Sequence, residues 1–472
     1  MKRITAIATT LLFVALAPLR AGDDGKSGFT VLRRPLSKVE ALNLALAHNG
    51  TILQAQKDVE ATTGVAIQTR AILYPHLLHT ASYSVRQDSL IEQNQNLEIP
   101  SKTLNFPAPL GSVDIGGGHL SKTNNQAWDT EIQVVQSIYE GGRMHSAVRS
   151  SKLIQEQSVL AFESTVADTL LSVSNAYDDV LRTAKQIEVR EAQVKFLTAY
   201  RDDTQTRFKA GAVPEFDVLR NEVELANGIA QQMQAIGDHR TAKQRFVELL
   251  GYDVPRSVSD DLSLKLISSL EARPYRQNLA AALDEALRNR TEIAALEKEE
   301  RIRDENIIVA KSGNKPSVQA FAGYELTSRL QSRNAGDELH GSLVGVQMSW
   351  PIFDGFLTKG RVIEAVAQRG KASEAKAETT RIVELQVRTA WSDLRTAQSV
   401  LDAQSVNVKK AIRALELAEK RYKEGAGTQI DVLSAQTALT DARGSYVDAL
   451  RNYSVARTSL LRATGADLQH RH

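Results

Sequence analysis

The sequence predicts a mainly α-helical protein built from two equivalent halves, each of which also contributes two β-strands. Residues 207–219 recur as residues 421–433 with seven of thirteen positions identical, at an offset of 214 residues. The hydrophobic period changes from helical to alternating after Pro75 and again after Pro316, which marks a switch from helix to strand in each half. A repeat of this size is much longer than a solenoid unit, so it predicts two equivalent halves of one architecture.

The longest helices are predicted from a heptad pattern. No proline interrupts residues 143–210 or 357–424, and a helix of that length spans about 100 Å at 1.5 Å per residue. Sustained heptads indicate coiled-coil packing, and helices this long suit a spacer or the wall of a tube. The heptad positions are Val166, Val173, Val180, Ile187 and Val194 in the first half, and Val387, Leu394, Leu401, Val408, Leu415 and Tyr422 in the second.

Four segments alternate between apolar and polar residues over about ten positions. In the last of them, Val344, Val346 and Met348 alternate with Gly345 and Gln347. This length is what a tilted transmembrane strand needs. A soluble antiparallel sheet with one buried face shows the same alternation, so the pattern alone leaves both readings open. Aromatic residues near the strand ends are candidates for a membrane girdle: Tyr83, Trp128, Tyr324 and Trp350.

Four strands of one chain cannot close a barrel. An open sheet edge in lipid leaves backbone groups unpaired at a cost of several kcal/mol each, and bacterial barrels begin at eight strands. If the strands enter a membrane, several copies must therefore share one barrel. Two copies would give eight strands and three would give twelve.

The predicted organisation follows the repeat. A basic start, an apolar run over residues 4–17 and a cleavage site after Ala21 predict a secretory signal at residues 1–21, because the run is too short for a membrane-spanning anchor. A polar loop over residues 87–126 and a shorter one over 328–341 are expected to face solvent. The remaining segments are a first repeat at 22–251 (helices 37–73, 143–210 and 214–250; strands 75–86 and 127–138), a connecting segment at 252–277, a second repeat at 278–465 (helices 278–312, 357–424 and 428–463; strands 316–327 and 341–351), and a tail at 466–472.

Composition argues against an enzyme and against a nucleic-acid partner. The net charge is +2, and the chain has no cysteine, which excludes disulfides and thiol chemistry. The nine histidines show no metal-binding spacing. Gly116–Lys122 lacks the ending of a phosphate-binding loop. No cofactor or catalytic residue is predicted.

Three local motifs resemble those of the bacterial outer membrane efflux proteins, the TolC-like exit ducts. One is the strand-to-helix elbow at 138–143, whose copy has Phe356-Leu357 where Gly-Arg is usual; the second is the helix-turn-helix tip; the third is Asn49-Gly50-Thr51-Ile52. The resemblance covers nearly all of the chain after the signal. It implies a homotrimer with a shared twelve-stranded outer membrane barrel, a periplasmic tunnel of helices, and contact with a periplasmic adaptor and an inner membrane pump.

The resemblance also points to residues of the second tip that close the tunnel. Tyr422 and Asp431 match a tyrosine and an acid of that network, whereas Gly427 and Ser434 replace an arginine and a second acid. Three copies of Asp431 would form a carboxylate ring that attracts cations. The candidates for the pore aperture are Tyr422, Asp431, Asp217 and Ser434.

The alternative is that these tip acids cap helices. Asp431 follows Thr428 at the spacing of a helix-start box, and an acid in the first turn suits the helix dipole. Asp217 would serve the same purpose in the first tip, where Pro214 suits the first helical position.

The charged ends of the long helices are candidates for adaptor contact, although a basic last helical turn is ordinary. Gly211 and Gly425 most simply end those helices. The adaptor-facing candidates are Arg207, Lys209, Gly211, Arg421, Lys423 and Gly425. The expected function is a passive outer membrane duct for efflux or for protein secretion. The alternative from a different class is a soluble periplasmic coiled-coil scaffold or adaptor.

Overall fold

A computed structural model describes residues 34–87, 102–105, 112–115, 126–254, 262–270, 272, 274–275, 278–328 and 338–466. The predicted signal, the Gly116–Lys122 segment and most of the tail lie outside these residues. Among the described helices, none combines the length and the apolar character needed to cross a membrane.

The described elements follow the duplicated plan. In chain order they are α1 (Lys38–His48), α2 (Gly50–Ala71), β1 (His76–Val85), β2 (Lys102–Asn105), β3 (Ser112–Ile115), β4 (Gln126–Glu140), α3 (Arg143–Lys209), α4 (Glu215–Leu249), α5 (Leu279–Asn289), α6 (Thr291–Lys311), a 3-10 turn (Ser312–Asn314), β5 (Ser317–Ser328), β6 (Glu338–Ser349), α7 (Leu357–Lys423) and α8 (Gln429–Ala463).

Two helices predicted as continuous are each divided in two. The predicted helix 37–73 breaks at Asn49, whose side chain accepts hydrogen bonds from the backbone N–H groups of Thr51 at 2.9 Å and Ile52 at 3.3 Å. The predicted helix 278–312 breaks at the equivalent Arg290, which has an extended backbone. The helical period continues across each break, which is why pattern reasoning merged the pieces; the capping amide of Asn49 is the local signal for a new start.

Strands β1, β4, β5 and β6 form one antiparallel sheet in the order β1-β4-β5-β6. Directly opposite residues share a face of the sheet. The row Leu77, Val134, Ala322 and Val344 therefore lies on one face, and the alternating apolar residues of the four strands fall together. Strands β1 and β6 are the edges, and their side chains are almost all exposed.

Two details of the sheet differ from the expectation. A bulge between Ser137 and Tyr139 leaves Ile138 unpaired and places Tyr139 opposite Val318, so Tyr139 rather than Ile138 continues the apolar face. Strands β2 and β3 form a short hairpin within the segment that was predicted as a polar, solvent-facing loop.

The helices continue the order of the strands. On the strand side, α3 packs against α2 and α6, and α6 packs against α7, which gives the order α2-α3-α6-α7. On the other side, α3 packs against α4 and α8, and α8 packs against α7. Helices α3 and α7 each have 67 residues and run through both levels, whereas shorter helices are stacked beside them. One chain is thus a wall that is four strands or four helices wide.

Two apolar clusters lie where the shorter helices meet. The first joins α1, α3 and the end of α4 around Tyr177, whose hydroxyl donates to the Leu36 carbonyl at 3.0 Å and accepts from the Ser268 N–H at 3.3 Å. The second joins α5, α7 and α8 around Val387. Here Trp391, the equivalent of Tyr177, meets Tyr275 edge to face, with ring centroids 5.9 Å apart. The middle of the wall is therefore the best-packed part of the molecule.

Candidate functional site at the helical tips

The two ends farthest from the sheet are tight turns between antiparallel helices. We call residues 207–219 the first tip and residues 421–433 the second tip. Gly211, at φ 72°, donates its N–H to Phe208, and Ala212 donates to Arg207, both at 2.9 Å. Gly425, at φ 74°, and Ala426 repeat the pattern onto Tyr422 and Arg421 at 3.1 and 2.8 Å. Glycine is favoured there because the left-handed backbone suits no other residue as well.

The helices that return from the two tips begin differently. In the second tip, the Thr428 N–H donates to Asp431 Oδ2 at 2.9 Å and the Asp431 N–H donates to Thr428 Oγ1 at 3.3 Å, a reciprocal capping box. The first tip has Pro214 as the capping residue, without any side-chain cap. Asp217 forms no capping box, but it lies in the first turn of α4, where a negative charge suits the helix dipole as predicted. Pro214 stands one position earlier than expected.

The capping box sets the electrostatics of Asp431. The backbone N–H and the hydroxyl of Thr428 hold the pKa of this exposed carboxyl below its ordinary value, and Arg421 acts in the same direction. One carboxylate oxygen faces the cap, and the side chain remains exposed to solvent. Asp431 thus stays ionised at neutral pH and keeps an accessible negative charge.

An aromatic cluster ties the second tip to the first. Tyr422 lies against Tyr200 of α3 with ring centroids 6.1 Å apart, and the Arg207 guanidinium lies 5.2 Å from the Tyr422 ring centroid. Arg207 also pairs with Asp203 at 2.9 Å. Burial raises the pKa of the Tyr200 phenol above its ordinary value, so that its hydroxyl stays neutral. This cation–π contact occupies Arg207, which was expected to face an adaptor.

Sequence reasoning missed Tyr200. The available signal was its asymmetry, because the equivalent position in the second repeat is Ala414, so that only one of the two helices carries an aromatic ring two turns before its end. Ring contacts between helices become visible only when the two tips are placed side by side.

The remaining tip candidates are Gly427, Ser434, Lys209 and Lys423. A Cβ on Gly427 would lie 3.2 Å from both the Arg421 Cβ and the Tyr422 nitrogen, so the chain passes closely here. Ser434 is exposed on the first turns of α8. Lys209 and Lys423 project into solvent from the last turns of α3 and α7.

The girdle candidates divide between the two ends of the sheet. Tyr83 and Trp128 lie opposite each other near the loop end of β1 and β4. Trp350 follows β6 at the helix end and donates its indole N–H to the Asn314 carbonyl at 3.1 Å. Tyr324 lies opposite Ile132, four residues inside the end of β5.

A partly buried ionic network in the middle of the wall was not foreseen. Arg462 of α8 donates to Asp168 of α3 at 2.7 Å, to Glu292 of α6 at 2.8 Å and to Ser164 at 3.1 Å. Burial alone would raise the pKa of Glu292, but hydrogen bonding to Arg462 and the charges of Arg290 and Arg462 lower it to about 2. The network joins the two repeats, so no single helical pattern could reveal it.

These features define a wall segment of a channel: an open sheet and an open layer of very long helices, both ending in edges, with a charged turn at the far end. A family model for the Outer membrane efflux protein matches residues 41–252 and 282–466. The chain belongs to this family. It is an outer membrane exit duct for efflux and no enzyme, with its long helical part in the periplasm.

Individual relatives are distant but extensive. The Outer membrane efflux protein BepC of Brucella suis is 24% identical over 428 residues, 90% of each chain. The Outer membrane protein TolC of Escherichia coli is 23% identical over 352 residues, 72% of this chain and 70% of that one. The CmeC outer membrane channel of Campylobacter jejuni superposes with a TM-score of 0.72 at 15% identity, covering 91% of this chain and 85% of that one. The structural likeness establishes the shared fold.

Proposed function

We propose that three copies of this chain form one continuous duct, with a twelve-stranded barrel above a tube of twelve helices. The observation that carries the proposal is the shared order of strands and helices, whose two edges are open at every level in the part of the chain that the structure describes. Because the outer strands β1 and β6 run antiparallel to each other, β6 of one copy meets β1 of the next in the same antiparallel sense. Closure by copies removes the open edges that lipid would not tolerate.

The test is to extract the full-length chain from outer membranes in detergent and measure its protein mass, followed by conductance in planar bilayers. The proposal expects a trimer with discrete channel steps. A soluble monomer or dimer released without detergent would favour a periplasmic scaffold instead. A detergent-extracted assembly whose protein mass is not that of a trimer would overturn the twelve-stranded barrel.

We further propose that Asp431 lines the narrow end of the duct. Its support is the exposed, ionised carboxylate, of which the capping box engages one oxygen. Asp431→Ala should lower the potency with which divalent and trivalent cations block the channel several-fold, because a ring of three carboxylates attracts cations. Asp217→Ala, at the equivalent position of the first tip, is the matched control and should leave block unchanged. If cations block both variants and the wild type with the same potency, Asp431 serves only as a helix cap.

The tips are also proposed as the contact for a periplasmic adaptor that couples the duct to an inner membrane pump. Lys209 and Lys423 support this, because both are exposed at the far end of the wall. Lys209→Glu/Lys423→Glu should reduce export by cells while single-channel conductance of the purified trimer stays intact. Lys195→Glu, a reversal farther up α3, controls for charge alone. A conductance change without loss of export would place the two lysines in the pore.

A further inference from the structure

The two repeats share their internal registers as well as their order. In the sheet, His76 lies opposite Val135, and Ser317 lies opposite Ser349. Ser317 follows His76 by 241 residues, and Ser349 follows Val135 by 214 residues. The helices obey the same offsets. Gln155 donates to Thr63 at 2.9 Å, and the equivalent Arg369 donates to Asp304 at 3.3 Å. Adding 241 to residue numbers in α2 and β1, and 214 to residue numbers in α3 and β4, therefore converts the contacts of the first repeat into those of the second.

The junction between the two repeats has no such counterpart within one chain. Here β4 pairs with β5, and α3 packs against α6. The equivalents of β4 and α3 are β6 and α7, which lie at an edge of the wall, and the equivalents of β5 and α6 are β1 and α2, at the opposite edge. A ring of copies brings these two edges together.

We infer that, in the homotrimer proposed above, β1 and α2 of a second copy lie on β6 and α7 in the register that β5 and α6 take on β4 and α3. The observed pairs Ile132–Tyr324 and Val134–Ala322 then place Val346 opposite the partner's Tyr83 and Met348 opposite the partner's Ala81. The transfer keeps apolar residues on the apolar face of the sheet. A register shifted by one residue would turn every side chain of the added strand to the other face.

The elbow before α7 gives independent support. A Cβ on Gly142 would lie 3.7 Å from Ile308, so the register places its equivalent Phe356 against the partner's Ile67. Phe356 is 68% exposed in one chain and Ile67 is 65% exposed. Phe356 is also the non-glycine residue with a left-handed backbone among the described residues, at φ 69°. That conformation is costly for a bulky side chain, and an apolar partner for the ring explains why it is kept.

Two of the transferred helix contacts also match in charge or size. Gln157 donates to Glu299 at 3.3 Å within the chain, and the register replaces this pair by Lys371 and the partner's Asp58, which are of opposite charge. Arg149 pairs with Glu305 at 2.7 Å. At the equivalent positions the register places the exposed Ile363 over the partner's Gly64, so both charged residues are replaced by uncharged ones. No charge is left facing an apolar residue at these positions.

The absence of cysteine from the chain allows a direct test. In the full-length protein, Tyr83→Cys/Val346→Cys should form disulfides between copies, because directly opposite strand residues have Cβ atoms within about 5.5 Å. Non-reducing electrophoresis should then show a covalent trimer that reducing agent converts to monomer. Ser84→Cys/Val346→Cys is the matched control, since Ser84 points to the other face, and it should remain monomeric. Ile67→Cys/Phe356→Cys tests the helical elbow separately.

The outcomes separate this register from the trimer itself. Cross-links in Tyr83→Cys/Val346→Cys and in Ile67→Cys/Phe356→Cys support the register. A trimer by mass that cross-links through Val85→Cys/Val346→Cys or Ala81→Cys/Val346→Cys, and not through the predicted pair, overturns the register while the proposed duct stands. A wild-type chain that is no trimer by mass overturns the proposed function, and the register with it.

Discussion

The middle of the helical wall and its tips are joined in different ways. In the middle, α3 and α8 are linked across the two repeats by ion pairs that follow one another along the helices. These are Asp168 with Arg462 at 2.7 Å, Asp179 with Arg451 at 2.9 Å, and Arg182 with Asp448 at 3.2 Å. Nearer the tips, the pairs of Arg207 with Asp203 and of Arg413 with Glu416 are made within one helix.

The difference shows which part of the wall is held in place and which is less restrained. The middle combines two buried apolar clusters with cross-repeat charge pairs, so local opening there must expose both. The second tip is tied to α3 by Tyr422, through the ring of Tyr200 and the guanidinium of Arg207. Both tips carry exposed apolar side chains, such as Phe216 and Ile430. A change in the middle should therefore affect stability, and a change at the tips should affect passage.

The largest effect is expected for Arg462→Ala. The substitution leaves Glu292 without its main partner and removes the links to Asp168 and Ser164. Breaking a buried charge pair costs about 3–5 kcal/mol, and because Asp168 is largely exposed we expect about 2–3 kcal/mol of lost unfolding free energy. Urea unfolding followed by circular dichroism, at fixed protein and detergent concentration, measures it.

Arg413→Ala is the control for that measurement. It removes an ion pair of similar geometry whose two side chains are 71% and 57% exposed. Such exposed pairs contribute about 0–1 kcal/mol. If both variants lose the same stability, the middle of the wall is no more firmly held than its surface, and the contrast between the two regions is wrong.

The second prediction concerns pH. The folded pKa of Glu292 is depressed to about 2, below the value of about 4.3 expected in an unfolded chain. Its contribution to stability is therefore present above the unfolded pKa and is lost as pH falls from about 4.3 toward 2. The stability difference between wild type and Glu292→Gln should be constant from pH 7 to 5 and shrink below that. A Glu292→Gln difference that stays constant below pH 5 would mean that the network is solvated.

Much of the architecture could be predicted, because it rests on patterns that repeat along one element. The heptads of α3 and α7, the alternation in β4 and β6, and the glycines that end the long helices are each readable locally. The break at Asn49 was missed because the helical period continues through it. The bulge at Ser137 was missed because its cause lies in the pairing with β5.

Most contacts at the tips and in the ionic network could not be predicted, because the sequence does not give the relative positions of the helices. The capping alternative for Asp431 was readable from Thr428 three residues earlier, and the structure shows that geometry. Arg462, Glu292 and Asp168 lie on three different helices, and Tyr200 and Tyr422 lie on two. Contacts of this kind depend on how helices are placed side by side, which no periodicity within one helix reports.

The smallest effect on stability, with the clearest effect on passage, is expected for Tyr422→Leu. The substitution removes the ring contact with Tyr200 and the cation–π contact with Arg207, which together contribute about 1 kcal/mol at a partly exposed site. Because these contacts tie the second tip to α3, their loss should raise the mean single-channel conductance.

Phe208→Leu removes the aromatic ring at the equivalent position of the first tip and should leave conductance near the wild-type value. Tyr422→Phe keeps the ring, and should also behave as wild type if the ring and not the hydroxyl makes the tie. Equal conductance in Tyr422→Leu and Phe208→Leu would show that the cluster does not restrain the tip, and that the middle and the tips of the wall differ only in how well they are packed.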